Sequence, residues 1–204
     1  MTRFPLRLGL WIAALAILSA CDTFSKASAP LDAYTLSALP VMGEPRATSR
    51  HLVVELPTSS GALATDRILI KPNPLQAEYL PKGRWVDAAP VLLQTLLVAS
   101  LQNSGGFRRV GRDAAGLTPD FVLLVEVTDF QAEAPAPGVT ETPVRVGLNL
   151  TMVREDDRSL IAARRFDQTA LAPSSDTLAL VTAFDSATRQ VLVDAVAWAL
   201  RQAD

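Results

Sequence analysis

Few residues in this chain are equipped for chemistry. Cys21 is the single cysteine and His51 the single histidine among 204 residues. One thiol excludes an intramolecular disulfide and a multi-cysteine zinc site. One imidazole excludes any site that needs two. His51 opens the run His51-Leu52-Val53-Val54-Glu55-Leu56, with no Cys partner or nucleophile motif beside it. It reads as a polar residue at a strand edge rather than a general base. Glu155, Asp156 and Asp157 are adjacent acids. Calcium takes about six to eight oxygens from a spaced loop, and this run lacks that spacing. It reads as a solvated hairpin turn. The Gly-x-Ser-x-Gly elbow of common hydrolases and the Gly-x-x-x-x-Gly-Lys-Ser/Thr phosphate loop are both absent from the sequence. No catalytic residue, metal ligand or cofactor is assigned, and the chain reads as a non-enzyme.

Cys21 stands apart because of what precedes it. Residues 1–7 carry Arg3 and Arg7 and no acid, and residues 8–18 are uncharged. A spanning helix needs about 20 apolar residues, so this run is short and matches a secretory signal peptide. It ends in Leu18-Ser19-Ala20-Cys21, which resembles the bacterial lipobox. Small residues fit a narrow signal-peptidase cleft, and the Cys21 thiol is the nucleophile that accepts a diacylglyceryl group. On this reading residues 1–20 are a lipoprotein signal peptide and Cys21 is the lipidation site. Loss of Arg3 and Arg7 takes the formal charge from −2 to −4. Each buried methylene contributes about 0.8 kcal/mol to attachment, and two or three acyl chains hold stably. The mature protein is then anchored to a membrane without spanning it. Asp22 favours the inner membrane in some bacteria. Inner versus outer membrane stays open.

The near-neutral charge argues against a nucleic-acid partner. Hydrophobic residues make up 49% and charged residues 20%, which is the composition of a folded domain. Residues 21–31 are small and polar and read as an acylated tether, reaching at most roughly 34 Å over ten residues. Residues 32–204 read as one domain. Short strands are expected at 33–36, 51–56 and 66–71, with a loop at 41–49 and a turn at 58–61. Asp87 offers an N-cap and Pro90 a first turn for a helix ending at Asn103, closed by Gly105 and Gly106. Leu93, Leu96, Leu97 and Leu101 share its apolar face. A short strand at 107–110 follows. The apolar run 121–127 predicts a central strand buried on both faces. Residues 144–152 alternate apolar and polar and predict a half-buried strand, with a hairpin partner at 159–168. Ser174, Ser175 and Asp176 offer N-caps for a last helix. It reaches about Gln202 and carries a stripe from Leu180 and Val181 through Phe184, Thr188, Val191, Leu192 and Ala195 to Trp198. The expected fold class is α/β, a mixed β-sheet with two main helices packed on one face.

Three aromatics are candidate partner contacts. Tyr79 and Trp85 lie in the segment 72–90, whose prolines predict a loop, and loop aromatics often anchor partners. Phe130 and the Pro-rich loop 133–143 form a second candidate. The alternative for Tyr79 and Trp85 is that both plug the core beside the first helix.

Several stretches together resemble one family. Tyr34-Thr35-Leu36 follows the lipobox. His51–Leu56 and Asp66-Arg67-Ile68-Leu69-Ile70 come next. Tyr79 then precedes Arg84-Trp85-Val86-Asp87-Ala88-Ala89-Pro90, where the Pro opens a Leu-rich helix. That helix ends in Ser104-Gly105-Gly106-Phe107-Arg108-Arg109-Val110. Asp129-Phe130 and Trp198-Ala199-Leu200 complete the series. In order and spacing they are similar to the ABC-type transport auxiliary lipoprotein family, over nearly the whole mature chain. The resemblance implies a fold like the TolB N-terminal domain. It implies a non-catalytic accessory subunit of an MCE-type ABC system that moves lipids or other hydrophobic molecules across the cell envelope. The implied partners are an MCE-domain protein, an ABC permease and its ATPase, with a homo-oligomer possible because MCE proteins form rings. The implied location is the bacterial envelope, lipid-anchored and facing the periplasm. Two alternatives are an independent lipid-binding carrier, which needs an apolar cavity, and a general envelope-assembly lipoprotein.

Cys21→Ser should abolish acylation and leave the signal peptide uncleaved. Mass spectrometry of the membrane fraction checks both, and an acylated variant would refute the lipidation assignment.

Overall fold

The computed structural model describes residues 30–41, 49–112 and 119–203. The signal segment, Cys21, Asp22 and most of the tether lie outside the described residues, as does most of the loop expected at 41–49.

The fold is organised about β7 (Phe121–Glu133), a strand of 13 residues. Along one edge it pairs antiparallel with β8 (Thr142–Arg154), from Phe121↔Arg154 to Ala132↔Val144. Its other edge is divided among three shorter strands, all parallel to it. β2 (His51–Val54) takes Phe121 to Leu123, β3 (Thr58–Ser59) takes Glu126 and Val127, and β4 (Arg67–Asn73) takes Gln131 to Glu133. β4 pairs antiparallel with β5 (Gln76–Trp85), which also pairs with β1 (Asp32–Tyr34). β2 pairs with β6 (Arg109–Gly111), and β8 with β9 (Leu160–Ala172). The result is a mixed nine-stranded sheet. Two helices, α1 (Ala89–Asn103) and α2 (Thr177–Ala203), pack on it and on each other. The compact unit spans Ala33–Asp204.

Pattern explains most of these elements. In β8, Val144, Val146, Leu148, Leu150 and Met152 are buried beneath the helices, and the intervening residues face outward. The Leu93, Leu96, Leu97 and Leu101 stripe of α1 is buried, and so is the whole expected stripe of α2. Gly105 ends α1 with φ +65°, a left-handed conformation that a side chain would strain.

Four expectations need correction. Asp87 is not the N-cap of α1. Ala88 occupies that position without a side-chain bond, and the Thr65 carbonyl accepts from Ala89 N at 3.0 Å instead. The run 121–127 is central but not buried on both faces, because Leu124 and Glu126 are exposed where no helix covers the sheet. The turn expected at 58–61 begins as the two-residue strand β3. The segment 72–90 is not a loop, since β5 occupies most of it. Two of its four prolines, Pro72 and Pro81, sit at register shifts. Pairing jumps from Arg67↔Arg84 to Leu69↔Tyr79, and Pro81 lies in the excess on β5. A second shift between Ile70 and Asn73 takes Pro72. A bulge removes the need for a ladder N–H, so proline is tolerated there.

Between sheet and helices lie three rings in mutual contact. Trp85 meets Phe130 at 5.3 Å and Phe184 at 5.1 Å between centroids, and Phe130 meets Phe184 at 5.0 Å. Trp85→Ala should destabilise the domain by about 3–5 kcal/mol, the usual cost of emptying a large aromatic site, measured by denaturant unfolding.

Candidate functional site

Trp85 and Phe130 are not surface contacts. They are 0% and 1% exposed and belong to the ring cluster. For Trp85 the cause is the bulged β4–β5 pairing, which makes a strand of the supposed loop and turns its last residue inward. For Phe130 the cause is a bulge in β7. Val127 pairs with Leu148 and Asp129 with Gly147, so Thr128 is an extra residue. Strict alternation after Val125 and Val127 would put Asp129 inside and Phe130 outside. The extra residue reverses both. Of the three aromatics only Tyr79 reaches solvent, at 39% exposure. Its hydroxyl donates to the Ala62 carbonyl at 3.2 Å, and the Arg67 guanidinium lies 5.7 Å from its ring centroid. Tyr79 remains the exposed aromatic on the hairpin side of the sheet.

The helices cover one face, and the other face of β7, β8 and β9 is open and charged. Register places Asp129, Gly147 and Asp167 in one row, and Glu126, Asn149 and Arg165 in the next. Arg165 reaches across β8 to Asp129 at 2.8 Å and also pairs with Asp167 at 3.2 Å. Gly147 makes that crossing possible. A Cβ there would come within 2.7 Å of both Asp129 Oδ2 and Thr128 Oγ1. Asn149 donates to Glu126 at 2.9 Å, and Arg145 pairs with Glu133 at 3.4 Å. Gln131, 1% exposed, ties the row together. Its amide donates to Asp129 and to Glu133 at 3.1 Å each, while its oxygen accepts from Phe130 N at 2.8 Å. Burial opposes ionisation of Asp129. Hydrogen bonds from Gln131 and Thr128, with Arg165 and Arg145 nearby, overcome it and hold the carboxyl below its ordinary range.

At the β4–β5 end this face runs into a cleft of about 390 Å³ lined by Lys71, Asn73, Asp129, Glu133 and Arg145 among others. The hairpin tip beside it presents Leu75, 99% exposed, with Leu75 N held by Asn73 Oδ1 at 3.0 Å. This surface carries fixed charges of both signs, a cleft and a protruding apolar tip. Sequence reasoning missed Leu75 because the hairpin was read as loop. It missed the charge network because pairing across β7, β8 and β9 depends on register. The alternation of Arg145, Gly147, Asn149 and Thr151 was the available signal.

The remaining singled-out groups make local hydrogen bonds and ion pairs. His51 N donates to Asp120 Oδ2 at 2.7 Å, and Asp120 N donates back to the His51 carbonyl at 2.9 Å. The His51 N–H on the carboxylate, the largest cause, and Arg50 lower the Asp120 pKa against the opposing effect of burial. Glu155 pairs with Arg158 at 2.9 Å, and Asp157 accepts from Ser159 N at 3.0 Å, which closes the β8–β9 turn. Among the described residues no group of three or more His, Cys, Asp or Glu side chains is placed to hold a metal. Among them, no helix is long and apolar enough to cross a membrane.

Comparison with known proteins adds three findings. The family model described as ABC-type transport auxiliary lipoprotein component matches residues 34–197. An uncharacterised Bradyrhizobium diazoefficiens protein is 27% identical over 153 residues, 74% of this chain and 39% of that one. The chain therefore spans well under half the length of that relative. The crystal structure of a Xanthomonas campestris protein assigned to DUF330 aligns with TM-score 0.76 and 25% identity, covering 86% of this chain and 97% of that one.

Asp129→Asn tests the network. The folded pKa lies below the unfolded one, so ionised Asp129 stabilises above the unfolded value and this contribution fades as pH falls through the folded value. The variant should lose about 1 kcal/mol at neutral pH. The gap to wild type should close in acid, as read from unfolding curves across pH.

Proposed function

Because the chain belongs to the ABC-type transport auxiliary lipoprotein family, we propose that it is the non-catalytic, acylated accessory subunit of an MCE-type ABC transport system moving lipids or other hydrophobic molecules across the cell envelope. The observation that carries this reading is the family match over residues 34–197. The Leu18–Cys21 lipobox supports an anchor at Cys21, with the domain facing the periplasm close to its membrane. A subunit of this kind acts through contacts. The open charged face, the cleft beside Leu75 and the exposed Tyr79 are surfaces on which an MCE-domain protein or the permease would dock.

An independent lipid carrier is the less favoured reading. Its acyl chain would need the space between sheet and helices, and there Trp85, Phe130 and Phe184 contact one another.

Affinity purification of the full lipoprotein from detergent-solubilised membranes should recover an MCE-domain protein with its permease and ATPase. Recovery of none of these, under conditions that keep a known envelope complex intact, refutes the partnership. Bound lipid in native mass spectra of the isolated subunit would instead support the carrier.

A further inference from the structure

β9 pairs only with β8, so among the described residues its outer edge carries no strand. An edge presents a row of unpaired backbone N–H and C=O groups, which proteins usually blunt with charged side chains, lysine above all, proline or a bulge. β9 has 13 residues and contains no Lys, Pro or Gly; its charges, Arg164, Arg165 and Asp167, are grouped about Phe166, and its one register shift lies at the Leu160 end. Its register with β8 runs unbroken from Thr142↔Ala172 to Met152↔Ala162. Leu160 and Leu171 stand exposed near its two ends.

We propose that β9 pairs antiparallel with β9 of a second copy about a two-fold axis at Phe166, making an isologous dimer with one continuous sheet. The sequence Leu-Ile-Ala-Ala-Arg-Arg-Phe-Asp-Gln-Thr-Ala-Leu-Ala is self-complementary in that register. Ile161 opposes Leu171, and Ala162 opposes Ala170. Arg165 opposes Asp167 of the second copy. Because Arg165 and Asp167 already pair within each strand at 3.2 Å, symmetry closes an alternating ring of four charges on the open face. A slip of two pairing positions sets either Arg165 against Arg165 or Asp167 against Asp167, and like charges directly opposed destabilise a sheet. A slip of one position puts the helices of the two copies on opposite faces.

The helix side agrees. Arg164 opposes Gln168 of the second copy. Gln168 donates to Asp194 of α2 at 3.4 Å. Within one chain Arg164 stacks over Phe166 at 5.3 Å, Asp194 takes only that Gln168 bond, and neither has an ion-pair partner among the described residues. Pairing about Phe166 brings Arg164 to Asp194 of the second copy, twice by symmetry. Since α2 lies over β8 and β9, one strand spacing across the axis sets the two α2 helices about 10 Å apart, an ordinary packing distance.

The test uses the full lipoprotein in detergent and reads its protein mass by sedimentation velocity. Wild type should contain two chains. Arg164→Glu and Asp194→Arg change exposed positions, so the fold should persist by circular dichroism while each weakens self-association about tenfold or more. The double variant should recover it. Four outcomes overturn the proposal. These are a wild type that stays single at tens of micromolar, a β9 edge held by a different polypeptide, an assembly indifferent to both substitutions, and a double variant as weak as the singles. Dimerisation does not require the transporter partnership, so either reading can fail without the other.

Discussion

The contact among Trp85, Phe130 and Phe184 ties together three parts of the domain within one core. Trp85 closes the β4–β5 hairpin, Phe130 lies near the end of the central strand, and Phe184 sits in the long helix. Their centroids lie 5.0–5.3 Å apart with tilted or edge-on planes, geometries that aromatic pairs prefer. Once these rings face inward, the backbone alternation of each strand decides which residues face outward. The charged face is thus the reverse side of the core.

The bulge at Thr128 links the two. It lets β7 bury Val125 and Val127, then Phe130 and Ala132, by inserting one residue between the two series. The same insertion crowds Thr128 and Asp129 over the row of Gly147, where only hydrogen fits. Arg165 can then cross from β9 to a carboxylate two strands away. Apolar burial on one side and an ordered charge network on the other come from one local irregularity. Bulges that re-aim side chains in this way are a recurring device.

β7 has one edge filled by a single long partner and the other shared by three short ones, so the sheet is wide and its uncovered face broad. The interior is filled by aliphatic and aromatic side chains, and polar groups buried there are few. Gln94 spends its amide on the Val54 carbonyl, while Gln131, buried on the opposite face, spends its own on Asp129 and Glu133. Among the described residues a wide polar face, the outer edge of β9 and a hairpin tip carrying Leu75 stand uncovered. The chain's family assigns it an auxiliary place in an ABC-type transport system.

Much of this was legible in the chain itself. The helix stripes, the alternation of β8, the acidic β8–β9 turn and the mixed sheet with two helices follow from periodicity, because 3.6- and 2-residue repeats are local properties. The family resemblance is likewise carried by strings of residues. What tertiary structure decided was register. Proline at Pro72 and Pro81 signals a break when read locally, yet a paired strand absorbs it in a bulge. Phe130 looked outward because nothing in its neighbours announces the extra residue at Thr128. Trp85 lay in a Pro-bounded segment that left contact and core both open, and the shifted β4–β5 pairing decided for the core. The Asp129–Arg165 pair joins residues 36 positions apart, and only the pairing of three strands brings them together. Alternation is a property of the chain, but which residue opposes which is a property of the sheet.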